Sequence, residues 1–79
     1  MIGMLRGHVE SVDAVSAIIE VGGVGYEVRM PSADLASMHA GQEIKVYTSL
    51  NVSQDAITLF GFGTLASKRM FLQLQKVCG

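Results

Sequence analysis

The sequence predicts an all-β domain with a terminal helix, in which five short strands close a small barrel. Three observations carry this expectation. Apolar and polar side chains alternate through most of residues 2–62, the period of half-buried strands. Turn formers divide that stretch into strand-length segments: Gly22-Gly23, Pro31, Gly41 and the polar run 51–56. Only after Gly63 does the apolar spacing change to that of a helix. At 79 residues, the chain has room for one such small domain.

In the first segment, 2–10, Leu5 and Val9 alternate with Arg6, His8 and Glu10, and 11–14 is a turn. Val15, Ala17, Ile19 and Val21 then share one face, with Ser16, Ile18 and Glu20 on the other. Gly22-Gly23 tolerates positive φ at both central positions of a tight hairpin. The third segment turns Val24, Tyr26, Val28 and Met30 inward and Glu27 and Arg29 outward, and Gly25 marks a bulge or bend. Pro31 ends it. Ser32 is the expected cap of a short helix over 33–38, closed by Gly41. Ile44, Val46, Thr48 and Leu50 alternate with Lys45, Tyr47 and Ser49 in the fourth strand. Residues 51–56 form a polar tip. The last strand, 57–62, carries bulky groups on both faces, so cover is expected on both sides.

Thr64 is the expected N-cap of an amphipathic helix over 65–77, with Met70, Phe71, Leu74 and Val77 on one side and Lys68, Arg69, Gln73 and Lys76 on the other. Charge divides at the same place. Residues 1–64 hold Arg6, Arg29 and Lys45 against all seven acids, a net −4, whereas 65–79 hold three cations and no acid. Five strands with one helix between the third and fourth suit a barrel of the OB type; an SH3-like barrel is the alternative. The expected division is a barrel over 1–64 and the start of a second, helical domain over 65–79. Because 77–79 stop where a continuing chain would turn, a fragment of a longer protein is expected.

Composition removes several function classes. With 49% hydrophobic and 16% charged residues, the chain is no disordered tail, and a net charge of −1 excludes a polycation. No apolar run approaches the roughly 18–20 residues that span a bilayer. The N-terminus lacks the basic and apolar segments of a secretion signal, so a cytoplasmic location is expected. One cysteine, Cys78, makes no internal disulfide and no multi-thiolate metal site. A core of this size supplies only about 3–5 kcal/mol. Association with a partner is therefore expected.

No catalytic constellation emerges, and no cofactor, metal or small-molecule substrate is expected. His8 lies on an outward row and His39 in a loop, neither with a matched nucleophile. Cys78 sits at a helix C-terminus, where the dipole opposes a thiolate. Glu20 and Glu27 flank a hairpin without the cleft that a glycosidase needs. The glycine-rich run 21–26 lies between strands and lacks the Lys-Ser/Thr of a phosphate loop. Tyr47 beside Lys45 is the right pairing for stacking a base, although the acidic barrel opposes phosphate capture. On spacing alone, 51–56 is a polar hairpin loop with Asp55 solvated. Two functions stay open on the residues: an RNA- or single-strand-binding module, and an oligomerisation domain whose Ile18 and Phe60 or Phe62 meet a neighbour.

Four motifs narrow the choice: Met1-Ile-Gly-x-Leu-Arg-Gly7, Glu20-Val-Gly-Gly-Val-Gly-Tyr-Glu-Val28, Asp55-Ala-x-x-Leu-Phe-Gly-Phe62 and Phe71-Leu-x-Leu. Together they resemble, in register over the whole chain, the RuvA family of bacterial Holliday junction branch-migration subunits. The resemblance implies an OB-fold first domain, then a helix-hairpin-helix DNA-binding domain of which 65–79 are the first helix. It implies a homotetramer that holds four-way junction DNA open and planar in recombination and repair, working with the RuvB motor and the RuvC resolvase and not itself an enzyme. It also implies an acidic pin between the last two strands, at Gln54 and Asp55. The family usually has two acids there; Gln54 replaces one by a neutral amide. Lys45, Tyr47, Lys68 and Arg69 are further candidates for contacts with DNA or a neighbouring subunit.

Overall fold

The structure, a computed structural model, describes residues 2–78, with side chains as far as Gln75. The expected placements of Lys76, Val77 and Cys78 on the helix faces therefore lie outside the described side chains.

Five strands and two helices follow one another as β1 (Met4–Val12), β2 (Ser16–Val21), β3 (Val24–Arg29), α1 (Ser32–Ala36), β4 (Glu43–Val52), β5 (Ile57–Phe62) and α2 (Leu65–Cys78). The strands close in the order β1-β2-β3-β5-β4, with β4 returning to β1. All pairings are antiparallel except β3 with β5. This is the OB-type barrel, with α1 in the β3–β4 connection.

Closure depends on β1, which pairs with β4 through Met4 to His8 and with β2 through His8 to Val12. Serving two partners requires a bend, and the register to β2 slips between Val9 and Ser11, leaving Glu10 as the extra residue of a bulge. The bend expected at Gly25 is thus misplaced: β2 and β3 pair in unbroken register through Glu20↔Gly25. The glycine instead leaves room for Ile18, whose Cγ2 would lie 3.1 Å from an added Cβ.

Gly22 and Gly23 adopt φ of 57° and 91°, the conformation a two-residue hairpin turn demands. The Glu20 carboxylate accepts the Gly23 N–H at 2.7 Å and braces the turn. Gly7 and Gly61 are both required for space, since a Cβ would overlap the Glu20 carbonyl oxygen at the first and Val28 Cγ1 at the second.

The interior is filled by Leu5, Val9, Ala17, Ile19, Val28, Met30, Val46 and Leu59, with Leu35 and Met38 closing one end. Thr48 is fully buried, and its hydroxyl donates to the Ile2 carbonyl at 3.0 Å. Its polar atom is therefore satisfied. Two expected core positions differ. Val15 is 55% exposed because β2 begins one residue later, and Val24 is exposed at the hairpin end. Ser16, assigned to the outer row, is buried, with its hydroxyl donating to Glu27 at 3.3 Å.

The short helix is also displaced from expectation. Pro31, not Ser32, occupies the N-cap position, no side chain caps the helix, and it ends at Ser37 rather than Gly41. Proline without an N–H costs nothing at that position. Gly41, with φ 89°, serves the turn into β4.

Thr64 caps α2 as expected, accepting the Ser67 N–H at 3.1 Å. The helix meets the barrel mainly through Phe71, whose ring centroid lies 5.1 Å from Phe60 and 5.0 Å from Phe62. Leu72 and Lys68 are half-buried, while Met70 and Leu74 are 66% and 56% exposed. The buried face is therefore rotated from the expected one, because the outward aromatics of β5 capture Phe71. Asp34 fixes the entry to α2 by accepting the Gly63 N–H at 3.3 Å.

Candidate functional site

The β4–β5 hairpin carries the candidate site at its tip. Its two strands pair continuously from Tyr47↔Phe62 to Val52↔Ile57. Val46, Thr48, Leu50, Leu59 and Gly61 face the barrel interior, and the same alternation places Tyr47, Ser49, Phe60 and Phe62 outside. Beyond the Leu50↔Leu59 pair the strands leave the packed body. Val52 and Ile57 have inward parity yet are 69% and 73% exposed, so no core remains at their level. The tip extends roughly 10 Å past the last core pair at about 3.3 Å per residue.

Four residues turn the chain without glycine, and none of them has positive φ. Ser53 replaces that freedom with hydrogen bonds. Its N–H donates to the Ala56 carbonyl at 2.8 Å, its hydroxyl donates to the same carbonyl at 3.1 Å, and the Ala56 N–H donates to that hydroxyl at 3.1 Å. The clamp holds Ser53 and Ala56 together and leaves Gln54 and Asp55 at the apex, both exposed. Among the described residues, no hydrogen bond or ion pair engages the Asp55 carboxylate. The expected cover of the last strand on both faces holds from Leu59 to Phe62 and fails at Ile57.

The other candidates lie elsewhere. Lys45 and Tyr47 are brought together on the outer face, with Lys45 Nζ 5.2 Å from the Tyr47 ring centroid. They stand roughly 20 Å down β4 from the tip. Tyr47 is half-buried, between Met4 on β1 and Phe62 on β5. With flanks occupied and Lys45 above it, the ring is a poor platform for a base, which weakens the single-strand alternative. Lys68 and Arg69 begin α2, the first half-buried and the second exposed. Phe62, considered an exposed subunit contact, is buried beneath Phe71, whereas Ile18 is partly exposed.

One residue was missed. Arg6 lies directly opposite Lys45 in the β1–β4 register, and both are exposed. Their proximity depends on pairing between segments far apart in the chain. Alternation could show only that each points outward. His8 and His39 are exposed, and no group of three or more His, Cys, Asp or Glu side chains could hold a metal ion among the described residues. No helix of the described residues is long and apolar enough to cross a membrane.

Comparison with known proteins gives this geometry a family. The RuvA N terminal domain matches residues 1–61, the whole barrel to the end of β5 but for Phe62. Over all 79 residues the chain is 99% identical to a Holliday junction branch migration complex subunit RuvA of Bifidobacterium adolescentis, covering 38% of that protein. It is 68% identical to the subunit of that name from Bifidobacterium animalis subsp. lactis, again over 38% of its length. The one from Corynebacterium diphtheriae is 46% identical, with 39% covered. The chain thus spans about two fifths of the curated relatives it matches. A barrel of this topology, matched from its first strand through the projecting hairpin, belongs to the RuvA N-terminal domain family.

Proposed function

We propose that this chain is the barrel of a non-catalytic subunit that binds four-way DNA junctions and supports their branch migration. The relatives are named as subunits of a Holliday junction branch migration complex, and the proposal extends that role here. The observation that carries the mechanism is the exposed β4–β5 apex, where the Asp55 carboxylate has no protein partner among the described residues.

In this mechanism four copies surround the junction and their apices converge at the crossover. Each contributes one carboxylate from Asp55 and one neutral amide from Gln54. A carboxylate about 10 Å from a phosphate is repelled by only about 0.4 kcal/mol in water, and physiological salt reduces this further. Four such charges therefore bias where strands run and do not determine affinity. Attraction comes from the helix-hairpin-helix domain that begins at 65 and continues in the longer protein. The net −4 of residues 1–64 beside the +3 of 65–79 supports this division. Force comes from a RuvB-type ATP-driven motor, and cleavage from a RuvC-type resolvase. The setting is recombination and repair in the cytoplasm.

Two measurements test the proposal. A gel-shift titration of residues 1–79 against a four-way junction is expected to give very weak binding; tight binding would contradict the division of labour. In the longer protein, Asp55→Asn is expected to leave junction affinity equal or higher and to change the branch-migration rate. An unchanged rate removes the apex from the mechanism.

A further inference from the structure

The outer face of the β1–β4 ladder reverses the charge of the barrel. Arg6 and Lys45 are register partners on neighbouring strands, about 4.7–4.9 Å apart in the pairing direction. Both are exposed, and among the described residues neither has a carboxylate within 4.0 Å. Like charges placed directly across a ladder disfavour it. Together with Glu43 and Ile44 they line an open surface concavity. Lys45 Nζ rests over the Tyr47 ring, and Met4 lies opposite Tyr47 in the next row. In the row on the other side His8 pairs with Glu43, and beyond His8 stands Glu20 on β2. The acids thus bound the strip at one end, and its cationic side opens toward Met4 and Tyr47.

From this arrangement we infer that Arg6 and Lys45 form a phosphate-binding strip for a nucleic-acid backbone, separate from the hairpin apex. An arginine fork can take two oxygens of one phosphate, and a lysine ammonium supplies a point charge beside it. The aromatic ring under Lys45 holds the ammonium in place along the strand. Two adjacent cations, neither paired with a carboxylate within 4.0 Å among the described residues, outnumber the one carboxylate of the concavity, that of Glu43, and complement a polyanion. Attraction of the two cations to phosphates needs no particular base, so the strip is assigned to the backbone, although Arg and Lys can also reach guanine edges. The choice of nucleic acid as the polyanion rests on the junction-binding proposal; the anion chemistry does not. The strip lies at the opposite end of β4 from Asp55, so one strand carries an attractive site and a repulsive one.

The test uses the 79-residue chain, whose barrel closes around its own core, titrated with a short linear DNA duplex at low salt and followed by amide chemical shifts. Weak binding is expected, with shifts on β1 near Arg6 and on β4 near Lys45. The double variant Arg6→Gln/Lys45→Gln is expected to weaken binding about tenfold or more and to lower the slope of log affinity against log salt by about 2. Lys45→Arg alone, which keeps the charge, is expected to retain most of the affinity. Shifts confined to α2, or a double variant with unchanged affinity and slope, overturn the strip. Concentration-dependent shifts without DNA that vanish in the double variant assign the face to carboxylates of a second copy, and also overturn it. A linear duplex has no crossover, so failure here leaves the apex mechanism standing. A failed migration test at Asp55 likewise leaves the strip untouched.

Discussion

The barrel turns two hairpins by opposite means. At β2–β3, two glycines with positive φ make the tightest connection available, and the neighbouring Glu20 is used to brace it. Nothing is displayed at that tip. At β4–β5, Ser53 clamps Ala56 through three hydrogen bonds and the apex keeps side chains on Gln54 and Asp55. A glycine turn minimises strain and presents no chemistry. A serine-clamped turn accepts a looser connection and presents two functional groups on a stalk. The Val52↔Ile57 pair makes the same point, because it extends the ladder where there is no core to bury it. Extension past the packed body buries little apolar surface within this chain, which is why the proposed mechanism puts its contact at this hairpin.

Substitutions can break or sharpen that contrast. The largest effect is expected from Gly22→Val with Gly23→Val, which forces β-branched residues into positive φ and should cost about 2–4 kcal/mol in urea unfolding. A loss below 1 kcal/mol would mean that the turn relaxes to another type. Ser53→Ala removes the hydroxyl's share of the clamp and should cost about 1 kcal/mol, a fall in Tm of about 4–8 °C for a domain this small. Asp55→Asn and Gln54→Glu should each stay within about 0.5 kcal/mol of the parent in the same assay. A larger change would give the apex a structural role and erase the difference between the hairpins. Smallest is Lys45→Thr, which relieves the opposition to Arg6 and should stabilise the barrel by a few tenths of a kcal/mol. A loss of stability would show that Lys45 packing on Tyr47 outweighs that opposition.

Local features were legible in the sequence. Gly22-Gly23 announced its turn, Thr64 its cap, and the alternation in 44–50 its strand, because each depends on residues within a few positions. What depended on partners was not. The bulge at Glu10 exists because β1 serves two neighbours, a fact invisible in the spacing of 2–10. The buried face of α2 follows from where Phe60 and Phe62 emerge on β5, and so the helical pattern alone misplaced Met70 and Leu74. The apex at Gln54 and Asp55 was located through the family motif. Its exposure follows the polar run of 51–56, and its serine clamp came only from the structure. Arg6 beside Lys45 required the register between the first and fourth strands.

Closure of the sheet has one more consequence. With β4 returning to β1, the barrel has no edge strand among the described residues, and open stretches of backbone remain only at strand ends, on β3 ahead of Val28 and along the projecting β4–β5 tip. Little edge is therefore left for copies of this domain to join strand to strand, and assembly falls chiefly to side chains. Such contacts can be retuned one substitution at a time without unravelling the wall that supports them.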